Sequence, residues 1–446
     1  MANVVTRPTA KPARAIVIAR FQSRWSAGTS FDLALLASAL FLQRFSVAFG
    51  HSLMSLDVVP TALILIYLFA SGRVLIIYDR LLWFLALGLA ATFSLYLNFN
   101  AGMLPSYAEF ILMYFLFTLG RPSYEDQYKS TLEAFQFLVL ILSLLATAQF
   151  FAQFVIDGRS LIDFYGIFPD WLLASSSSAV RKAVGGVNTI IPITEGSSLI
   201  KSNGLFLVEP STLSQMTALG ILIEIVEFFR TRYLICFACG FLLSYSGTGV
   251  ALLALFLPMT GLYHRKSLVY GLVFVVFAAV LVITGVVDIS VFLARLGEFQ
   301  DPRGSGFERF VGPFWLAADY LNWASIRAML LGNGPGTTGA FASQDRYWYS
   351  GGFTGTWIKL LYEYGFIGSF LFISFFAACF RRTLCPPIIM GAIIVTYVFL
   401  GGNILNTPYL TLMIVLLTLS WPDLRSGRVS RTSHYPSALE PRSVTG

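Results

Sequence analysis

Long apolar runs, separated by short polar or basic connections, recur along most of the chain. They lie at about 31–50, 58–78, 81–98, 107–120, 132–156 and 207–229, and then at 233–246, 248–263, 268–288, 356–379, 386–401 and 404–420. A bilayer core about 30 Å thick takes about 20 residues of helix, and the runs approach that length. The pattern predicts an all-α integral membrane protein with about twelve transmembrane helices. Two long polar intervals, 157–206 and 289–355, interrupt it.

Charge then gives the orientation. The first 30 residues are basic (Arg7, Lys11, Arg14, Arg20, Arg24), with no short apolar stretch ending in a small-residue cleavage site, so they read as a retained tail. Every second connection after it is basic. These connections carry Arg80, then Arg121 and Lys129, then Arg230 and Arg232, then His264, Arg265 and Lys266, then Arg381 and Arg382. The final tail adds Arg425, Arg428 and Arg431. Short basic loops stay cytoplasmic, which places both termini inside and both long intervals outside. The expected organisation is a tail at 1–30, helices one to five at 31–156, and an outer loop at 157–206. Helices six to nine follow at 207–288, a large outer loop at 289–355, helices ten to twelve at 356–420, and a tail at 421–446.

Composition agrees with this pattern and excludes a soluble domain. Charged residues make up 12% and apolar residues 56%, whereas soluble domains carry about 25% charged residues. The four cysteines, Cys236, Cys239, Cys379 and Cys385, all fall in or beside apolar runs. They read as packing thiols, with no disulfide framework or metal centre. The net charge of +7 lies in tails and short loops, an orientation signal that calls for no nucleic acid.

Several polar groups stand out against the apolar background. Glu209-Pro210-Ser211-Thr212 opens the sixth helix, with Pro210 suited to a first turn. Glu209 is then either a capping carboxylate favoured by the helix dipole or a carboxylate held at the outer face beside Lys201. Ser244 to Gly249 divides an apolar run too long for one span, marking a turn that lies either at the surface or beside a cavity. Arg181 and Lys182 lie in the first outer loop; Arg303, Arg309, Arg327 and Arg346 alternate with acids in the second. Cations outside are either tolerated in long loops or meet an anionic ligand, for which Arg is suited. Phe314 to Leu331 has the spacing of an amphipathic helix on the membrane surface. The Gly332–Gly336 loop follows, without the strand and helix of a nucleotide site. Lys359 and Glu363 share one helix face at i, i+4 and are expected to pair.

Taken in order, the "FLVEPS" start, the "SGTG" break, and "R…LLGNGPG…LLYEYGFIG" before the last helices resemble the superfamily of Wzy-type polysaccharide polymerases and O-antigen ligases. The motifs span about 200–370. The resemblance implies a GT-C-like glycosyltransferase in the bacterial inner membrane. It implies a donor glycan on a polyprenyl diphosphate, an acceptor hydroxyl at the periplasmic face, no metal and no cofactor. Arg309 best matches the family arginine, with Arg303 as a rival, and Lys201 stands where an arginine is often found. Ligases of the superfamily carry a His-Asn pair about nine residues before the final Glu, where this chain has Thr354 and Gly355. That departure favours the polymerase branch, building exopolysaccharide or O-antigen, with Glu209 and Arg309 as catalytic candidates. Lys201, Arg303, Arg181, Lys359 and Glu363 are then candidates for substrate binding. A chain-length regulator, export machinery and membrane lipid are the implied partners. The rivals are the ligase and a lipid-linked sugar transporter; no internal repeat of the transporter kind is found.

Overall fold

The computed structural model describes residues 27–49, 52–156, 191–193, 197–262, 265–285, 287–291, 297, 300–301, 305–342, 344, 355–401 and 404–422. Arg181, Arg303, residues 1–26 and residues 423–446 lie outside the described residues.

Helix α1 (Ala27–Phe41) is followed by a hairpin of β1 (Ser46–Phe49) and β2 (Ser52–Ser55). Then come α2 (Val58–Ala70), the short β3 (Leu75–Ile76), α3 (Tyr78–Leu97), α4 (Leu104–Leu116), β4 (Leu119–Ser123) and α5 (Glu125–Ala152). After the first long interval run α6 (Pro210–Ile223), α7 (Thr231–Leu243), α8 (Gly247–Thr260) and α9 (Arg265–Ile283). The second interval holds α10 (Ser305–Phe310), α11 (Gly312–Trp323), α12 (Ile326–Leu331) and α13 (Thr338–Ala342). The chain closes with α14 (Thr356–Phe380), α15 (Pro387–Val395), α16 (Thr407–Met413) and β5 (Ser420–Pro422). Wider π-type turns at 224–228, 396–400 and 414–418 continue α6, α15 and α16.

The molecule is thus mainly helical, and among the described residues five helices are long and apolar enough to cross a membrane: 78–97, 125–152, 210–228, 265–283 and 356–380. Seven further apolar helices are shorter, at 10–17 residues. Their environments differ. The span starting at Pro210 has 83% of its apolar window buried against protein, and the one starting at Arg265 has 17%. The first is the hub of the bundle, packed against α5, α7 and α8, and the second is its rim.

Four expectations change. The 31–50 run is a helix followed by a hairpin, because Phe45 N–H bonds back to Leu42 O and the chain reverses, Leu56 N–H closing onto Phe45 O. The protein is not purely helical: β3, β4 and β5 join three chain connections in one small sheet, with β4 antiparallel to β3 and parallel to β5. Backbone groups at the helix ends are thereby paired among themselves. The 314–331 stretch is two helices, divided where Ala324 turns extended and Ser325 caps α12 through the Ala328 N–H. Its predicted apolar face (Phe314, Trp315, Ala318, Leu321, Trp323, Ile326, Leu330) is exposed, whereas Leu316, Ala317 and Tyr320 turn inward. Finally, α14 is interrupted at Gly365 (φ 66°, ψ −169°).

Candidate functional site

The motif segments meet in two places. At the first, α6 begins at Pro210 in its opening turn, where no amide hydrogen is needed. The Ser244–Ser246 turn between α7 and α8, with Tyr245 in the left-handed region (φ 46°), lies against this start. Thr248 Oγ1 donates to Ser211 O at 3.3 Å, and Ser214 Oγ donates to Ser246 O at 3.2 Å. The two sequence motifs therefore build one structural corner.

Glu209 stands at that corner as the residue before the helix, in extended backbone, and its side chain caps nothing. Its carbonyl takes the capping role, accepting from Thr212 N–H at 3.1 Å. The carboxylate is instead occupied on one oxygen: Ser211 Oγ donates to Oε2 at 2.7 Å and Arg309 Nη2 donates to the same atom at 3.0 Å. Glu209 thus holds the N-cap position without a side-chain capping hydrogen bond. Arg309 comes from α10, whose Phe307 is buried in the outer hydrophobic cluster while Phe310 packs against the main core. The helix straddles both cores, and this fixes the guanidinium over α6. The side chains of Arg309 and Glu209 remain 20% and 28% exposed. Tyr409, hydrogen-bonded to Gln215 Oε1, lies within Coulombic reach of both.

At the second place the Gly332–Gly336 loop docks on the break in α14. Asn333 N–H donates to Tyr362 O at 2.9 Å and Gly334 N–H to Glu363 O at 3.1 Å, bonding the loop backbone to carbonyls the interrupted helix has freed. Ser94 Oγ on α3 donates to the same Glu363 carbonyl at 2.8 Å. The approach is so close that a Cβ on Gly365 would stand 2.5 Å from Leu330 C, and one on Gly332 would overlap Glu363 O. Both residues also take φ values (78° at Gly332, 66° at Gly365) that side chains disfavour. The Glu363 carboxylate is fully buried; its Oε1 accepts from Thr338 Oγ1 at 2.8 Å and lies 3.8 Å from Lys359 Nζ. The expected i, i+4 pair is present, inside the protein.

Lys201 is buried, and its backbone N–H donates to Ile191 O. Its neighbours are gripped by α5: Gln153 bonds Ile200 through both amide atoms, and Gln149 Oε1 accepts from Asn203 and Gly204 N–H. Among the described residues no ion pair joins Lys201 to Glu209. Sequence reading missed Ser211, Asn333 and Thr338. Ser211 was signalled by its place two residues after Glu209, and Asn333 by its place inside the glycine loop; Thr338 carried no signal. Tyr320, whose phenol donates to Ala328 O at 2.8 Å and accepts from Asn333 Nδ2, also ties the loop down, and burial pushes its phenol pKa up. Among the described residues no cluster of His, Cys, Asp or Glu has the makings of a metal centre. No protein-family model matches the chain, and no curated protein matches it.

Proposed function

We propose that this chain is a membrane glycosyltransferase that polymerises polyprenyl-diphosphate-linked oligosaccharide units at the periplasmic face of the bacterial inner membrane. In this reading it has about twelve spans, some of them short, in a GT-C-like arrangement with both termini cytoplasmic. The observation that carries the reading is the Glu209–Arg309 pair, a half-open acid and cation brought together at 3.0 Å from positions 100 residues apart. In the reaction an acceptor hydroxyl attacks the anomeric carbon of the donor glycan. The carbon–oxygen bond to the diphosphate breaks, and the leaving group takes the electron pair. Arg309 offers a guanidinium suited to that diphosphate, where negative charge grows as the bond breaks and stabilisation acts on the transition state. The contacts from Ser211 and Arg309 both fall on Glu209 Oε2, which leaves Oε1 to accept the hydroxyl proton. Lys359 and Glu363 act one step back, holding the glycine loop that covers the break in α14.

The test is a strain lacking the gene, complemented with wild type or with Arg309→Ala. The reading expects the null and the variant to export single repeat units and to lose long polymer. Accumulation of undelivered units on the cytoplasmic leaflet would make the chain a transporter. Loss of attachment with polymer length intact would make it a ligase. Either result overturns the polymerase.

A further inference from the structure

A second cationic site lies at the opposite end of the bundle from the Gly332–Gly336 loop. A cavity of about 480 Å³ opens between the first turns of α3, the end of α14 and β5, lined by Asp79, Arg80, Trp83, Arg381, Arg382 and Trp421 among others. Helix α3 runs from this cavity to Asn98, whose Nδ2 donates to Gly332 O at 3.2 Å. Its 20 residues span about 30 Å, the thickness of a bilayer core. The cavity therefore stands at the level of one headgroup layer and the glycine loop at the level of the other.

Its chemistry is specific. Arg80 is buried, and its Nη1 donates to the carbonyls of Phe117, Leu119 and Thr418 at 3.3, 3.2 and 2.8 Å. Those dipoles satisfy the donors without cancelling the charge. Arg381 and Arg382 are exposed, and among the described residues neither makes an ion pair. Asp79 is the one carboxylate in the lining, against three guanidinium groups. The indole nitrogen of Trp421 is buried and has no acceptor, an unmet donor of the kind that costs about 1–3 kcal/mol. Trp83, 37% exposed, is the amphipathic residue typical of the membrane–water interface.

We propose that this cavity binds the phosphate group of an anionic phospholipid, in the leaflet opposite the Glu209–Arg309 pair. Arg381 and Arg382 hold the phosphate oxygens by charge-assisted hydrogen bonds, the Trp421 N–H supplies a third donor, and Trp83 lies along the glycerol region. A bound lipid would clamp the ends of α3 and α14, the two helices that carry the glycine loop at their far side. The site does not depend on what Glu209 and Arg309 do.

The experiment uses the full-length protein in a neutral detergent and measures binding by native mass spectrometry and by the shift in unfolding temperature. The probes are phosphatidylglycerol, zwitterionic phosphatidylcholine and inorganic phosphate. Phosphatidylglycerol should bind and stabilise, with phosphatidylcholine about tenfold weaker or more. Arg381→Ala and Arg382→Ala should each weaken phosphatidylglycerol binding about tenfold, the worth of one hydrogen bond to a charged group. Trp421→Phe keeps the ring and removes the donor, and should also weaken binding measurably. Arg265→Ala, an exposed cation at the start of α9 away from the cavity, should leave binding unchanged. Undiminished phosphatidylglycerol binding by the Arg381→Ala/Arg382→Ala double variant overturns the proposal. So does an equal loss with Arg265→Ala, which would mean diffuse attraction, or stabilisation by inorganic phosphate equal to that by the lipid, which would mean a free-anion site.

Discussion

Two acid–base pairs in this molecule look alike as chemistry and differ in everything that surrounds them. Lys359 and Glu363 are four residues apart on one helix, 3.8 Å from each other, with side chains 12% and 1% exposed. Glu209 and Arg309 are 100 residues apart, 3.0 Å from each other, and 28% and 20% exposed. The first pair could have been anticipated from spacing alone and is enclosed by the fold: Thr338 binds Glu363 Oε1, the glycine loop binds the Tyr362 and Glu363 carbonyls, and Oε2 is buried without a hydrogen-bond partner. The second needs two separate cores to hold α10 over α6, yet it keeps one carboxylate oxygen free of the two bonds that fix the other. Burying a charge is expensive unless it is paired, so the interior pair reads as part of the fold. A pair assembled across the chain and left open reads as part of the chemistry.

The largest effect should come from breaking the interior pair. Glu363→Ala removes the carboxylate 3.8 Å from Lys359, and losing one partner of a buried pair costs about 3–5 kcal/mol. Unfolding temperature and abundance in the membrane should both fall. The double variant Lys359→Met/Glu363→Leu removes both charges and should recover much of the loss. If Glu363→Ala kept normal stability but lost activity, Glu363 would be a substrate-facing group and the contrast between the pairs would collapse.

Next comes the open pair. Arg309→Ala should lower polymer formation by about 10²-fold or more, by analogy with removing one donor to a developing negative charge. Its unfolding temperature should stay near wild type, because the pair is partly solvated. Arg309→Lys keeps charge without the fork and should fall between. Normal polymer yield and length in Arg309→Ala, at normal protein level, would strip the pair of its role.

What the sequence made legible follows the range of each interaction. Apolar runs depend on local composition, and helices form within each one. The divide between α7 and α8 at Ser244–Ser246 was also local. The hairpin after α1 was hidden, because Ser46–Phe49 and Ser52–Ser55 are apolar enough to pass for the end of a span. The break in α14 was hidden too: Tyr364-Gly365-Phe366 reads as helix until the Gly332 loop is seen to occupy the space beside Gly365. Arg309 was singled out by its place in the motif, without any sign of the carboxylate it would meet across the chain. Pairing with Glu209 is tertiary, decided by where Phe307 and Phe310 anchor α10, and no spacing rule reports it.

The smallest effect tests how the open carboxylate is aimed. Ser211 Oγ and Arg309 Nη2 both donate to Glu209 Oε2, and two donors on one oxygen fix the rotation of the carboxylate as neither alone would. Ser211→Ala removes the neutral donor. One hydrogen bond contributes about 0.5–1.5 kcal/mol net, and water reaches this half-exposed group to replace part of it. The expected loss of polymerising activity is therefore about threefold to tenfold, with abundance and unfolding temperature unchanged. Ser211→Thr keeps the hydroxyl and should stay near wild type. A role limited to local helix structure predicts the reverse: Ser211→Ala would shift unfolding temperature and leave the rate per folded molecule alone. Comparing rate with stability in the same preparations separates the two, because aiming Oε1 at an acceptor hydroxyl matters only while the reaction is running.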